Sequence, residues 1–138
     1  MGKIKCPLLA VDIIIRCDRE MEKIVLIKRR NFPFGWALPG GFVEYGESVE
    51  NTAIREAKEE TNLDIEIVRL LGVYSDPHRD PRGHCVSIVF IANSSGKPVG
   101  GDDAKESKLF SIFSLPEEMA FDHRNIINDY IKEYIYLK

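Results

Sequence analysis

Apolar positions along the chain fall into short runs separated by polar, glycine- or proline-marked breaks, and their period changes once decisively. Leu8 to Cys17 is rich in β-branched residues and predicts a strand. Asp18 to Lys23 is a polar turn, and Ile24 to Lys28 predicts a second strand, so the pair predicts a hairpin. Asn31 to Gly35 predicts a loop carrying Phe32, Pro33 and Phe34, and Trp36 to Val43 runs through Pro39, Gly40 and Gly41. The period then becomes helical. Val49, Ala53 and Ala57 recur every four residues, and Ser48 is an N-cap residue, so a helix is predicted from Val49 to about Thr61. Leu63 to Tyr74 predicts a long strand, Ser75 to Gly83 a polar loop, and Cys85 to Ala92 a buried strand. Asn93 to Ala104 predicts a surface loop and Lys108 to Phe113 a further strand, followed by a turn or short helix at Pro116 to Met119. His123 to Tyr136 predicts a terminal helix with Ile126, Ile127, Tyr130, Ile131, Tyr134 and Ile135 on its apolar side. This order predicts an α/β fold, with a mixed sheet between helices.

Length and composition narrow the picture. At 138 residues the chain predicts one domain over 1–138, with neither repeat nor linker. A 44% apolar and 30% charged composition is that of an ordinary globular protein. The net charge of −3 gives no basic footprint for nucleic acid, and no apolar run is long enough to span a membrane. The start, MGKIKCPLLAVDIIIRC, has the look of a signal peptide. Its apolar run, however, contains Asp12, ends at Arg16 and lacks a small-residue cleavage site, which makes a strand the better reading. Cys6, Cys17 and Cys85 are odd in number and widely spaced, so they read as reduced thiols of a cytoplasmic protein rather than a disulfide frame or zinc site.

The first predicted helix carries the chemistry. Glu56, Glu59 and Glu60 lie three and four residues apart and share one face. Like charges at that spacing repel by about 0.2–0.5 kcal/mol per pair. The helix C-terminus disfavours anions by roughly another 0.3–1 kcal/mol each. A divalent cation reverses the sign of this arrangement, because Mg²⁺ prefers carboxylate and phosphate oxygens. The stretch from Gly41 to Leu63 resembles the Nudix box, G-x5-E-x7-R-E-U-x-E-E-x-G-U with U aliphatic, through Gly41, Glu47, Arg55, Glu56, Glu59, Glu60 and Leu63. Ala57 stands at an aliphatic position that is commonly larger. Asn62 replaces the second glycine, and asparagine is the next best residue for a left-handed turn.

The resemblance implies a Nudix-type α/β/α sandwich over essentially the whole chain and hydrolysis of a diphosphate linked to another moiety, with Mg²⁺ or Mn²⁺ as cofactor. It implies Glu56 and Glu60 as direct metal ligands, Glu59 direct or through water, and the Gly40 carbonyl as a further ligand. Arg55 is then expected to orient a box glutamate, Glu47 above all. The general base is either within the box, as Glu59, or a glutamate from a later loop, where Glu106 sits just before a predicted strand. The segment from Tyr74 to Ala92, with its R-D-P-R-G, resembles that of ADP-ribose pyrophosphatases. On that resemblance Arg79 and Arg82 are expected to hold a phosphate or ribose through fork geometry. Phe32, Phe34 and Trp36 are candidates for stacking a purine, with Phe34 and Trp36 preferred, while His123 reads as a satisfied structural histidine. The expected substrate is ADP-ribose, giving AMP and ribose 5-phosphate. The alternatives are a dinucleotide polyphosphate, NADH or an oxidised nucleotide. Nudix-like regulatory sensors share the R-D-P-R-G segment but append a DNA-binding domain; no room for one follows Lys138, and the glutamates are intact, which favours catalysis. The resemblance also implies a homodimer, with neither nucleic acid nor membrane as partner.

Overall fold

The computed structural model describes residues 4–99 and 104–137. Strand β1 (Leu8–Cys17) is its axis. From Ala10 onward every residue of β1 is buried, the pattern of a strand covered on both faces. It pairs in parallel with β6 (Cys85–Ser94) along its full length, from Leu8 opposite Cys85 to Cys17 opposite Ser94. Its other edge holds β4 (Gly40–Phe42) antiparallel, and β5 (Glu66–Tyr74) closes the far edge of β6, giving the order β4-β1-β6-β5. A second, antiparallel sheet has the order β3-β2-β7, from β2 (Lys23–Arg29), β3 (Gly35–Ala37) and β7 (Ala104–Ser111).

The predicted β1–β2 hairpin does not form. Glu20 N–H donates to Cys17 O at 3.1 Å, so the turn is tight. The two strands nevertheless leave it into different sheets, because both edges of β1 are taken by β4 and β6. The predicted mixed sheet between helices is present, with the antiparallel sheet beside it. The short β3 and β4 were not predicted, and β6 extends two residues into the predicted loop, whose residues 100–103 lie outside the described residues.

Helix α1 (Val49–Thr61) has the predicted bounds and caps. Ser48 Oγ accepts from Asn51 N–H at 3.1 Å, and Asn62 takes the left-handed conformation at φ 61°, its N–H donating to Lys58 O. Ala53 and Ala57, both fully buried, let α1 lie close against Val11, Ile13 and Ile15. Helix α2 (His123–Leu137) buries Ile126, Ile127 and Tyr130 against Ile14, Leu26 and Ile91 on the opposite side. Ile135, expected on that apolar side, is 60% exposed. Each fully buried aliphatic side chain contributes about 1.5–3 kcal/mol of transfer free energy. The two cores flank β1, and their tight packing fixes the position of α1 relative to β4.

Candidate active site

The site is built where β4 is squeezed between β1 and α1. Gly40 lies opposite Asp12 and Gly41 opposite Val11 in the ladder. A Cβ on Gly40 would stand 2.1 Å from Val11 O and 2.9 Å from Asp12 Cα, and one on Gly41 would stand 2.4 Å from the Glu56 carboxyl carbon. Only glycine permits this approach of strand to helix. It lets Gly40 N–H donate to Glu60 Oε1 at 2.7 Å.

Arg55 sits across the acidic face of α1. Its Nε and Nη2 form a fork on Glu47, at 2.8 and 2.9 Å. Its Nη1 reaches Glu56 at 2.7 Å and Glu59 at 3.4 Å, and Nη2 also donates to Phe42 O at 3.2 Å. Thr52 Oγ1 donates to Glu47 at 2.6 Å. The Arg55 fork, with the Thr52 hydroxyl, holds the Glu47 carboxyl down to about 2, while Glu47 and Glu56 raise the guanidinium further above its ordinary value. One arginine therefore offsets much of the repulsion that the spacing predicts.

Glu60 escapes that compensation. It is 7% exposed. Burial pushes its carboxyl up from 4.5 to about 8, and the charges of Glu56 and Asp12 push the same way against Gly40 N–H and Arg29. A buried acid held among other acids calls for a cation. Among the described residues no three His, Cys, Asp or Glu side chains converge tightly enough to chelate an ion by themselves.

Beyond Gly40 opens a cleft lined by Asp12, Arg29, Arg79, Arg82, Phe42 and Phe121, among others. The two arginines singled out in the sequence both line it, and both have carboxylate partners. Arg79, buried, forms a fork on Asp122 at 3.0 and 2.7 Å at the start of α2, and its Nη1 also reaches Cys85 O. Arg82 forms a fork on the buried Asp80 at 3.1 and 2.9 Å, with its guanidinium 5.5 Å from the Phe42 ring and 5.2 Å from the Phe121 ring. Arg29 differs from both. Its Nε donates to Pro33 O at 2.7 Å and its guanidinium lies 4.8 Å from the Phe121 ring. No carboxylate among the described residues lies within ion-pair distance of it. Burial pushes its pKa down and the Arg82 charge adds to that, against the more distant charges of Glu60, Asp80 and Asp12.

The other predicted site residues lie elsewhere. Phe34 is 65% exposed, edge-on to Phe32 at 6.3 Å. Trp36, in β3, packs edge-on against Phe110 at 4.8 Å, as its large apolar surface is better covered by the second sheet than by the cleft. Neither is among the residues that line the cleft. Glu106 lies within β7 rather than before it, opposite Lys28 and paired with Lys108 at 3.0 Å.

Sequence reasoning passed over Asp12, Arg29, Phe42 and Phe121 as site residues. Asp12 left a signal, since a charge inside a fully buried strand needs a partner. Here it accepts from Ser87 Oγ and faces His123 Nε2 at 3.6 Å. Burial would raise its pKa, but His123, Ser87 and Arg79 together hold it below the ordinary value. Phe121 has φ 57°, a conformation that bulky residues rarely adopt and that structures tend to retain at sites.

Similarity to known proteins agrees with this geometry. The NUDIX domain sequence profile matches residues 7–130. An ADP-ribose pyrophosphatase of Methanocaldococcus jannaschii is 55% identical over 129 residues, which cover 91% of this chain and 74% of that protein. A MutT/nudix family protein from Enterococcus faecalis superposes with a TM-score of 0.83 at 33% identity, covering 99% of this chain and 65% of that one. A bifunctional NMN adenylyltransferase/ADP ribose pyrophosphatase from Francisella tularensis, complexed with AMP and a manganese ion, superposes with a TM-score of 0.79 at 27% identity. In that case 96% of this chain is covered but 43% of the other. With the profile spanning nearly all of both cores and the acidic face of α1 set against the paired glycines, the chain belongs to the Nudix hydrolase family.

Proposed function

We propose that the protein hydrolyses the diphosphate bond of a nucleoside diphosphate linked to a second moiety, with ADP-ribose as substrate and AMP and ribose 5-phosphate as products. The observation that carries this reading is the buried Glu60, its carboxyl pushed up to about 8 beside Glu56, two glycines away from a cleft rimmed by Arg29, Arg79 and Arg82. An anionic pocket fit for cations thus adjoins a cationic one fit for phosphates. The likeness to the M. jannaschii enzyme supports ADP-ribose over the dinucleotide, NADH and oxidised-nucleotide alternatives.

Glu56 and Glu60 would hold Mg²⁺, or Mn²⁺ in its place, with Glu59 and the Gly40 carbonyl as further oxygens. When bound, the ion neutralises the diphosphate and lowers the pKa of the attacking water. Arg55 keeps Glu47 ionised and fixes the Glu56 carboxylate in place. Glu59, with 44% of its side chain exposed and one long contact to Arg55, is the best placed base. Glu106, on β7 and paired with Lys108, is the less favoured one. Arg29 supplies the uncommitted guanidinium for a substrate phosphate, and Arg82 stands beside it at Phe121. Arg79, spent on Asp122, shapes the cleft by tying the loop before β6 to α2.

The test is a panel of ADP-ribose, a dinucleotide polyphosphate, NADH and an oxidised deoxynucleoside triphosphate, each with Mg²⁺ and with products resolved by chromatography. The highest kcat/KM is expected on ADP-ribose. Arg29→Gln should lose a charge-assisted contact of about 1.5–3 kcal/mol, raising KM on ADP-ribose by about 10–150-fold with little change in kcat. A higher kcat/KM on another panel member contradicts the substrate assignment. An unchanged KM in Arg29→Gln contradicts the phosphate contact alone.

A further inference from the structure

The segment Leu38–Pro39–Gly40 is the piece of chain that carries the first glycine to Glu60. Pro39 has no N–H, so the segment offers few points of anchorage. Ile13 N–H donates to Pro39 O at 2.9 Å, and Gly40 N–H donates to Glu60 at 2.7 Å. The remaining anchor comes from outside the sheet: Leu38 N–H donates to His123 Nδ1 at 3.0 Å, with Leu38 and His123 each 2% exposed.

That bond fixes the tautomer. A ring nitrogen that accepts an N–H carries no proton, so the neutral ring bears its proton on Nε2. Nε2 faces Asp12 Oδ2 at 3.6 Å. Asp12 is opposite Gly40 in the β1–β4 ladder and accepts from Ser87 Oγ on β6. His123 is the first residue of α2, and Phe121 packs on its ring at 4.9 Å. The ring therefore ties α2 to β1 and to Leu38 just ahead of β4, where there is no slack: a Cβ on Gly40 would stand 2.1 Å from Val11 O.

We propose that His123 is a positioning residue for the reaction: accepting from Leu38 N–H and facing Asp12, it holds the Leu38–Gly40 segment at the depth where Gly40 meets Glu60. The inference rests on the reading of Glu60 as part of the active site. The path from the ring to Glu60 runs through the backbone, from Leu38 N–H to Gly40 N–H.

Two variants divide the ring's duties. In His123→Asn the side-chain oxygen stands near the place of Nδ1 and keeps an acceptor for Leu38 N–H. In His123→Gln the amide reaches the place of Nε2 and keeps a donor toward Asp12 while leaving Leu38 N–H without an acceptor. Loss of an orienting partner of this kind typically lowers activity about 10–100-fold. In His123→Gln kcat on ADP-ribose is expected to fall by that factor at nearly unchanged KM, with His123→Asn at least about tenfold better. Amide hydrogen exchange on the metal-free proteins gives the second readout. The Leu38 and Gly40 amides should lose protection in His123→Gln and keep it in His123→Asn, while those of β6 and α2 stay protected in both. Nitrogen-15 NMR of the wild-type histidine should show Nδ1 unprotonated and coupled across the hydrogen bond to Leu38 N. A protonated Nδ1 in the wild type, or Leu38 and Gly40 amides equally protected in the two variants, overturns the proposal. Inactivity of the wild type on every nucleoside diphosphate, with the exchange pattern as expected, overturns instead the function on which it rests, and with it the catalytic consequence.

Discussion

Glu60→Gln is expected to lower kcat by about 10²–10⁴-fold and at the same time to stabilise the metal-free protein at neutral and alkaline pH. The first effect follows from removing the buried one of the two carboxylates proposed to hold the metal, since a bound metal supplies several kcal/mol of transition-state stabilisation and each 1.36 kcal/mol is about tenfold in rate. The second follows from burial. The Glu60 carboxyl is pushed from 4.5 to about 8 in the folded state. Between those values the folded chain holds a proton that the unfolded chain releases. The associated stability is complete below about 4.5 and is lost as pH rises through about 8, with a slope of up to about 1.4 kcal/mol per pH unit. Glutamine keeps an oxygen for Gly40 N–H but has nothing to titrate. Denaturant unfolding in a chelator should therefore show wild type and variant diverging across that window, and Mg²⁺ should restore the wild type alone. Parallel curves would refute the buried-carboxylate account, and near wild-type turnover would refute the metal assignment.

The two adjacent glycines should separate stability from activity. At Gly40 an alanine Cβ meets backbone, Val11 O at 2.1 Å and Asp12 Cα at 2.9 Å, which cannot withdraw without parting β4 from β1. Gly40→Ala should lower stability by about 1–3 kcal/mol or more, as overpacking does. At Gly41 the Cβ meets the end of the Glu56 side chain, which can swing aside. Gly41→Ala should fold with a Tm near that of the wild type yet lose kcat by about 10²-fold, because displacing a reacting group by an ångström has that effect. The opposite pattern, a destabilised Gly41→Ala that keeps its turnover per folded molecule, would show that the glycines serve packing alone.

How far these features could be read in advance depended on whether their causes were local. Helix α1 was legible to the residue, because Ser48, the Val49-Ala53-Ala57 period and Asn62 each act within a turn of the chain. The acidic face was legible for the same reason. Strand β1 was equally clear, yet its partner was not: the tight turn after Cys17 suggests a hairpin, and the choice of β6 over β2 is made some seventy residues downstream. Strands β3 and β4 are three residues each, too short to show a period. In the cleft, residue type told that arginines matter but not which ones are committed. Arg79 finds Asp122 across 43 positions, and Arg29 becomes distinctive only because no carboxylate among the described residues forms such a fork with it. The left-handed Phe121 leaves no local sign at all, since nothing in an aromatic side chain favours that conformation.

The most direct test of the central claim is the bond that breaks. On the proposed reading, the carboxylates on one face of α1 would hold cations against a diphosphate, which would direct water to phosphorus and leave the glycosidic carbon untouched. Hydrolysis of ADP-ribose with Mg²⁺ in ¹⁸O-labelled water should give AMP and ribose 5-phosphate, with label in the phosphate of one of the two products and none on the ribose C1. Release of free adenine, or label at a sugar carbon, would mean that the glutamates act as the acid and nucleophile of a glycosidase and would contradict the account.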